Sequence, residues 1–582
     1  MRRLPDRTTR STPDRSVRQV TQEVIMQFNL ATEPWIPVLR QQGQVAQVSL
    51  QTALLDAHKI QSLVPPIPTM VPALLRQVLL PVTLHALGAP RSPDEWQRRF
   101  AQGQFSTVQQ EELRSYLLQE HLDDLDLLST TRPFAQVAEL TATNNETKPT
   151  SLLMPGVASG NNVPLFSALT EADTPELTPA EAALWLLHTH CWDTAAIKTG
   201  AKGDPQVKAG KTTGNPTGPL GQLGVIVPMG RTLYETLILN QPYRYDGLAT
   251  ADRPHWAAAT EKYPLLPGET DARTPQWSTR APRGEMDLMT WQSRRIRLIP
   301  ANTPDGIRIT SVVVSAGDRL ENTPEYEPHT AWTCTAKPAA GRPPQRPRRH
   351  LSGRSAWQGL DTLLALALPT DGDGRYTSVL LRQIGELEAE GHLPPGYPLR
   401  LATYGLEYGN QSAVVENAIT DSMPLPTASL AAENSDVRAA LLEAAGQADR
   451  ASRATDRLLM DLRRAGGGEP LPRDKGNRPS QRLLYTLDPS MRLLLAQLRD
   501  VGDDIDLLEE EMTQWETTAW RAAWSLAEQL LVSAPPQAFG GRDSKEGTFR
   551  TALAERGLRS ALYAVFPRAA EARRLPTEVT TP

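Results

Sequence analysis

The sequence predicts an α+β protein, with a large mixed α/β domain over residues 26–426 followed by a C-terminal four-helix bundle over residues 427–582. Three observations predict it. Short runs rich in β-branched residues at 224–229, 294–299 and 307–315 are interleaved with stretches of helical periodicity. After Pro426 only helical patterns remain, over about 430–465, 480–500, 504–532 and 546–566, and four amphipathic helices close most simply as a bundle. The 50 prolines, scattered along 582 residues, call for long irregular connections.

Composition narrows the function classes. Hydrophobic content of 40% and charged content of 22% are those of a soluble globular chain. A net charge of -5 leaves no global basic footprint, so any nucleic-acid surface must be local. Two cysteines, Cys191 and Cys334, cannot make a disulfide framework or a four-cysteine zinc site and suit a reducing cytosol. The most apolar run, 63–88, is interrupted by Arg76, His85 and prolines, so no membrane span is expected. Residues 1–25 carry six arginines and no apolar core of a signal peptide; they are expected to be a disordered extension, with Met26 as a candidate natural start. The expected location is cytoplasmic.

In chain order, Phe28 to Leu50 reads as a short hairpin whose Ser49 caps a helix through Leu54 and Leu55. Helical patterns follow at 69–88, 93–102 and 107–120. From Ser129 to Phe166 periodicity disappears, and this connection holds Phe134 and a Gly/Ser/Asn loop whose five-residue arc runs from Gly156 to Gly160. Glycines at both ends of that arc let backbone groups approach a partner closely, while Ser159 and Asn161 supply short donors and acceptors. An ordinary surface loop reads the same way. A helix over 179–192 restores order. His188, His190 and Cys191 on it do not share a face and have no second cluster to complete a metal site.

Residues 197–224 are the richest in glycine and lysine. Gly210-Lys211-Thr212 resembles the end of a phosphate-binding P-loop, but Pro205 stands where its first glycine belongs. Lys198, Lys202, Lys208 and Lys211 suit non-specific phosphate contact, and a solvated loop is the equal alternative. Between 337 and 354 lie Lys337, Arg342, Arg346, Arg348, Arg349 and Arg354 with no acidic residue, a second candidate phosphate patch. Ser355-Ala356-Trp357 opens an expected helix over LDTLLALAL. Residues 398–422 read as strand, tight turn, strand, with Asn410 and Gln411 projecting from the tip. In the bundle, Leu508, Met512, Trp515, Ala519, Ala522, Leu526 and Leu530 form one apolar stripe. Asp488-Pro489 is expected to cap the second helix, and Gly466-Gly467-Gly468 to end the first.

The order of FNLATEPWIPV, RPFAQ, LLMPGVASGNN, the lysine/glycine loop, WQSRRIRL, SAWQGLDTLLA, YGLEYGNQSAVVE and a terminal helical bundle resembles the CasA family, the large subunit of the type I-E CRISPR surveillance complex Cascade. The resemblance spans residues 28 to about 570. It implies a non-catalytic subunit without cofactor or metal, working with guide RNA, the other Cascade subunits, double-stranded target DNA and a helicase-nuclease. It implies recognition of a short protospacer-adjacent motif from the minor groove, followed by strand separation. Carried over, the glycine arc is Gly156, Ser159, Gly160 and Asn161, the strand-separating wedge is Asn410 and Gln411, and Phe134 lies near the guide's 5′ end. The family's basic finger falls on Arg319 or on Lys337. The competing class is a metal- or nucleotide-dependent nucleic-acid-processing enzyme, against which stand the broken P-loop and the lack of any His/carboxylate pairing at useful spacing. A purely structural assembly protein is the third reading.

Overall fold

The computed structural model describes residues 26–574 apart from 158–174, 243–251, 261–262, 266, 370–371, 432–434, 470, 473–475, 477, 503 and 545–546. At its start, Ile36–Arg40 pairs with Val45–Val48 on one side and Ile60–Leu63 on the other, both antiparallel. Ser49 accepts from the Thr52 amide and starts the helix Leu50–Leu55, as the sequence reading expects. Ser92 does the same for the helix Pro93–Gln102.

The apolar run Met70–Leu87 is long and apolar enough to cross a membrane by composition, yet it is a core helix, mostly buried, with a π-turn over Leu75–Leu79. Arg76 inside it is fully buried and meets Glu327 through a two-pronged ion pair, with His329 alongside and Asn240 beyond. A charge in this core is tolerated because both terminal guanidinium nitrogens have partners and Glu327 supplies the opposite charge.

Two sheets position the site. Arg294–Thr303 and Gly306–Ala316 form a long antiparallel hairpin with a register shift between Ile309 and Ser311, and Lys148–Pro149 adds a short outer strand. Arg400–Tyr408 lies between Val225–Met229 and Val415–Pro424, with Tyr404 opposite both Val225 and Thr420.

The C-terminal helices Asp436–Ala465, Pro479–Gln497, Ile505–Val532 and Thr551–Val565 pack on one another, the first touching the other three. The expected stripe is buried at Leu508, Met512, Trp515, Ala519 and Leu526; it widens to Trp520, Ala523 and Ala527, while Ala522 and Leu530 are only partly buried. The first helix ends at Gly466, and Gly467 follows with φ +84°. One polar chain crosses the bundle. Trp515 Nε1 donates to Gln447 at 2.9 Å, Gln447 donates to the buried Glu516 at 2.7 Å, and Arg568 reaches the same carboxylate at 2.9 Å.

Two expectations fail. Pro489 lies inside Pro479–Gln497 rather than starting a helix, whose first residue is Pro479. The apolar period runs unbroken through Pro489, and Asp488 spends its carboxylate on Trp357 Nε1 at 2.8 Å and on Arg492 instead of on a helix end. The helix expected over LDTLLALAL stops at Leu363. The Ala365 carbonyl accepts from Thr377 N at 2.9 Å, and Pro369 lies shortly ahead.

Candidate nucleic-acid interface

The helix Pro179–Trp192 builds the site's rear wall. Thr178 and Glu181 form a capping box and Pro179 occupies the first turn, which fixes where the helix starts and therefore where it ends. At its far end Trp192 Nε1 donates to the Thr69 carbonyl at 3.0 Å. Asp193 then ends the helix and takes two cations, Lys198 Nζ at 2.5 Å and the Arg294 guanidinium. Burial alone would raise the Asp193 carboxyl, but Lys198 and Arg294 hold it at about 2. Arg294 also donates to the Thr194 and Pro216 carbonyls, both at 2.8 Å, so one buried guanidinium ties the long hairpin to the lysine/glycine segment.

The hairpin Arg400–Pro424 meets this wall from the side. Tyr408 Oη donates to the Trp192 carbonyl at 2.6 Å, and Ala195 N donates to the Ser412 carbonyl at 2.8 Å. A Cβ on Gly221 would lie 2.4 Å from Tyr408 Oη, so glycine is required for that approach. At the tip, Gly409 N bonds the Val414 carbonyl, and Gln411 and Ser412 are left-handed with φ of 52° and 55°. Asn410 and Gln411 are exposed.

Between wall and hairpin opens a cleft of about 520 Å³. Its lining includes Leu153 to Pro155, the anchor of the glycine arc; Trp192 and Lys198 from the wall; and Ala413 and Val415 from the root of the hairpin. Stretches more than 250 positions apart in sequence therefore share one cavity. Gly156 is exposed, and a Cβ there would touch nothing within 4 Å among the described residues. Ser159, Gly160 and Asn161 lie outside the described residues.

The remaining predicted residues are distributed as follows. Lys202, Lys208 and Lys211 are exposed, and Lys202 hydrogen-bonds Asn145. Lys198 is corrected: it is a buried partner of Asp193, because the short pairing of Lys198–Thr199 with Lys211–Thr212 turns it inward. Arg319 is a clamp, not a finger. Its guanidinium stacks 4.0 Å over Trp277 and donates to Thr213 O at 2.7 Å and Asn215 Oδ1 at 3.2 Å. Lys337, after the strand Trp332–Cys334, is exposed. Arg346 is half-buried opposite Thr333, Arg348 is half-buried and Arg349 is exposed. Phe134 is also corrected. It is buried against His255 and Trp256, at ring distances of 5.1 and 5.8 Å, so its ring belongs to the core.

His188 and His190 are core groups. His188 Nε2 meets Thr69 Oγ1 at 3.0 Å and His190 Nε2 meets the Ala135 carbonyl at 2.9 Å. Burial lowers them to about 3 and about 4, so both are neutral. Among the described residues no group of His, Cys, Asp and Glu could hold a metal ion. Asp193, Arg294 and Tyr408 escaped the sequence reading as parts of the site. Tyr408 stood in a quoted motif, but only the fold reveals its partner.

Residues 29–526 match the family described as CRISPR-associated protein Cse1. A curated relative, CRISPR-associated protein CasA/Cse1 of Thermus thermophilus, is 30% identical over 510 residues, covering 85% of this chain and 92% of the relative. The crystal structure of Thermobifida fusca Cse1 is 31% identical, with TM-score 0.78 over 93% of this chain and 99% of that one. A chain of a CRISPR RNA-guided surveillance complex, 20% identical with TM-score 0.60 over 92% of this chain and 99% of its own, shares the fold. Together with the α+β architecture and its helical bundle, these matches define a CRISPR-associated protein. The chain belongs to the Cse1 (CasA) family, the large subunit of Cascade.

Proposed function

We propose that this subunit recognises a protospacer-adjacent motif in double-stranded DNA from the minor groove and starts strand separation at the hairpin tip. It then presents the opened target to a helicase-nuclease, within a cytoplasmic complex that also holds guide RNA and the other Cascade subunits. The observation that carries this reading is the shared cleft, in which the anchor of the glycine arc faces the root of the Asn410-Gln411 hairpin. A minor groove offers mainly an A·T against G·C distinction, which backbone groups and small polar side chains suit. A hairpin tip inserted at the first base step replaces lost stacking, at an opening cost of a few kcal/mol. Guide pairing then supplies the sequence information.

The test uses the assembled complex with guide RNA. Gln411→Ala is expected to weaken binding of a matched duplex while leaving a pre-opened target nearly unchanged; equal losses on both would overturn the wedge role. Gly156→Asp adds a negative charge at an exposed position where a Cβ meets no described residue within 4 Å. It is expected to reduce affinity for motif-bearing duplex without changing the melting temperature, and unchanged affinity would count against the groove contact.

A further inference from the structure

The last described helix, Pro567–Arg574, packs on Ile505–Val532 and Thr551–Val565 as a strap. Eight residues are too few to hold a helix in water on their own, so docking keeps it folded. Its apolar anchorage is two alanines, Ala569 and Ala570. The rest of its grip is ionic and polar. Arg568 takes Glu509 in a two-pronged pair at 2.7 and 3.1 Å, Glu443 at 3.0 Å and Glu516 at 2.9 Å, while Ala569 N donates to the second Glu516 oxygen at 3.1 Å. Further along, the Arg573 guanidinium stands 4.7 Å over the Trp520 ring.

The strap does not neutralise its seat. Three carboxylates converge on one guanidinium, and among the described residues no other cation pairs with them. Glu516 is fully buried, whereas Glu443 and Glu509 are partly exposed, so salt screens the outer half of the grip. Trp520 Nε1 is buried without an acceptor. A cover that leaves charge uncompensated and a donor unused fits less well than the core beneath it.

We infer that Pro567–Arg574 is a displaceable strap over a docking seat on the bundle, and that the seat's other occupant is an arginine-bearing helix of a second protein. The strap itself shows the chemistry the seat accepts: an arginine in the first turn, small side chains on the contact face, and a second cation against an indole. A partner helix bringing more positive charge than the strap would neutralise the surplus carboxylates and so displace it. This inference stands apart from the DNA reading, since none of its residues lines the cleft.

The experiment uses the full chain and a labelled peptide, PRAAEARR, which copies residues 567–574. In the wild type, raising the salt concentration is expected to speed amide exchange in 567–574 about tenfold and to leave Ile505–Val532 unchanged. Arg568→Gln should do the same at low salt. The peptide is expected to bind the Arg568→Gln chain about tenfold more tightly than the wild type, whose seat is filled. Adding Glu509→Gln, at a partly exposed carboxylate that the fold does not need, should weaken that binding again. Exchange that rises equally in Ile505–Val532 and 567–574 would make the helix an integral part of the bundle and overturn the strap. A peptide that binds both chains alike, or neither, would overturn the seat. A wild-type chain that dimerises as salt rises, and that the peptide returns to monomer, would give the seat to a second copy's strap and overturn the assignment to another protein.

Discussion

The Tyr408 hydroxyl donates to the Trp192 carbonyl at 2.6 Å, joining the hairpin Arg400–Pro424 to the end of the helix that walls the cleft. That bond satisfies one of the carbonyls a helix leaves orphaned at its C-terminus. It also sets the distance between the two sides of the site.

Tyr408→Phe removes the bond and leaves the Trp192 carbonyl unpaired. A loss of about 1–3 kcal/mol in urea unfolding is expected, with weaker opening of matched duplex and little effect on pre-opened target. Gly221→Ala should reproduce the phenotype by pushing the phenol away. Stability and opening both at wild-type values in the two variants would refute the brace.

Gln411 separates backbone from side chain. Its left-handed conformation costs an L-residue about 1 kcal/mol that glycine does not incur. Gln411→Gly is therefore expected to raise thermal stability slightly while losing duplex opening as Gln411→Ala does. A glycine variant that opens duplex normally would show that tip geometry, not the amide, does the work.

The pH dependence follows from buried groups. Burial lowers His188 and His255 to about 3 and His190 to about 4, so the unfolded chain binds more protons than the folded one below about pH 6.5. Their stabilisation is complete above that pH and is lost as pH falls toward 4 and 3. Burial opposes it, but Arg76 and His329 hold Glu327 at about 2, which adds a loss of the same sign below the usual glutamate range. Asp252, raised by burial to about 6, acts oppositely, its contribution fading as pH rises through 6. Glu285, which burial raises well above its usual value, acts with Asp252, but His329 and His350, also lowered by burial, join the three histidines, so the urea midpoint should fall from pH 7 to pH 5. His255→Leu, which removes a ring with both nitrogens buried and unpartnered, should flatten that fall. A midpoint that rises on acidification would contradict the assignment.

Arg492 tests the joint between bundle and sheet. It bonds Asp421 on the strand Val415–Pro424 at 2.7 Å and Asp488 on its own helix at 2.7 Å, while Asp488 also holds Trp357. Arg492→Ala is expected to cost about 1–2 kcal/mol, given its partial exposure, and to speed amide exchange in that strand. Exchange rates unchanged there would mean the joint carries no load.

Much of the fold was legible because its signals are local. Ser49 and Ser92 mark helix starts within three residues of the amides they accept from, and the alternation over 307–315 declares a strand without knowledge of its partner. Pro489 misled because a proline after an aspartate signals a helix start, whereas here packing carries the helix through it. The site was half legible. Asn410 and Gln411 sit at the tip where a strand-turn-strand pattern puts them, but Lys198 and Phe134 were assigned to partners that the fold replaces with Asp193 and Trp256. Pairings such as Arg76 with Glu327 span 251 positions, and no sequence periodicity encodes them.

The strand Val415–Pro424 has the hairpin tip at one end and the Arg492 joint near the other. No loop interrupts the strand between those two ends. If the tip parts DNA as proposed, a displacement there has a continuous backbone path to the helical bundle, and a subunit gripping the bundle would sense target through that one strand.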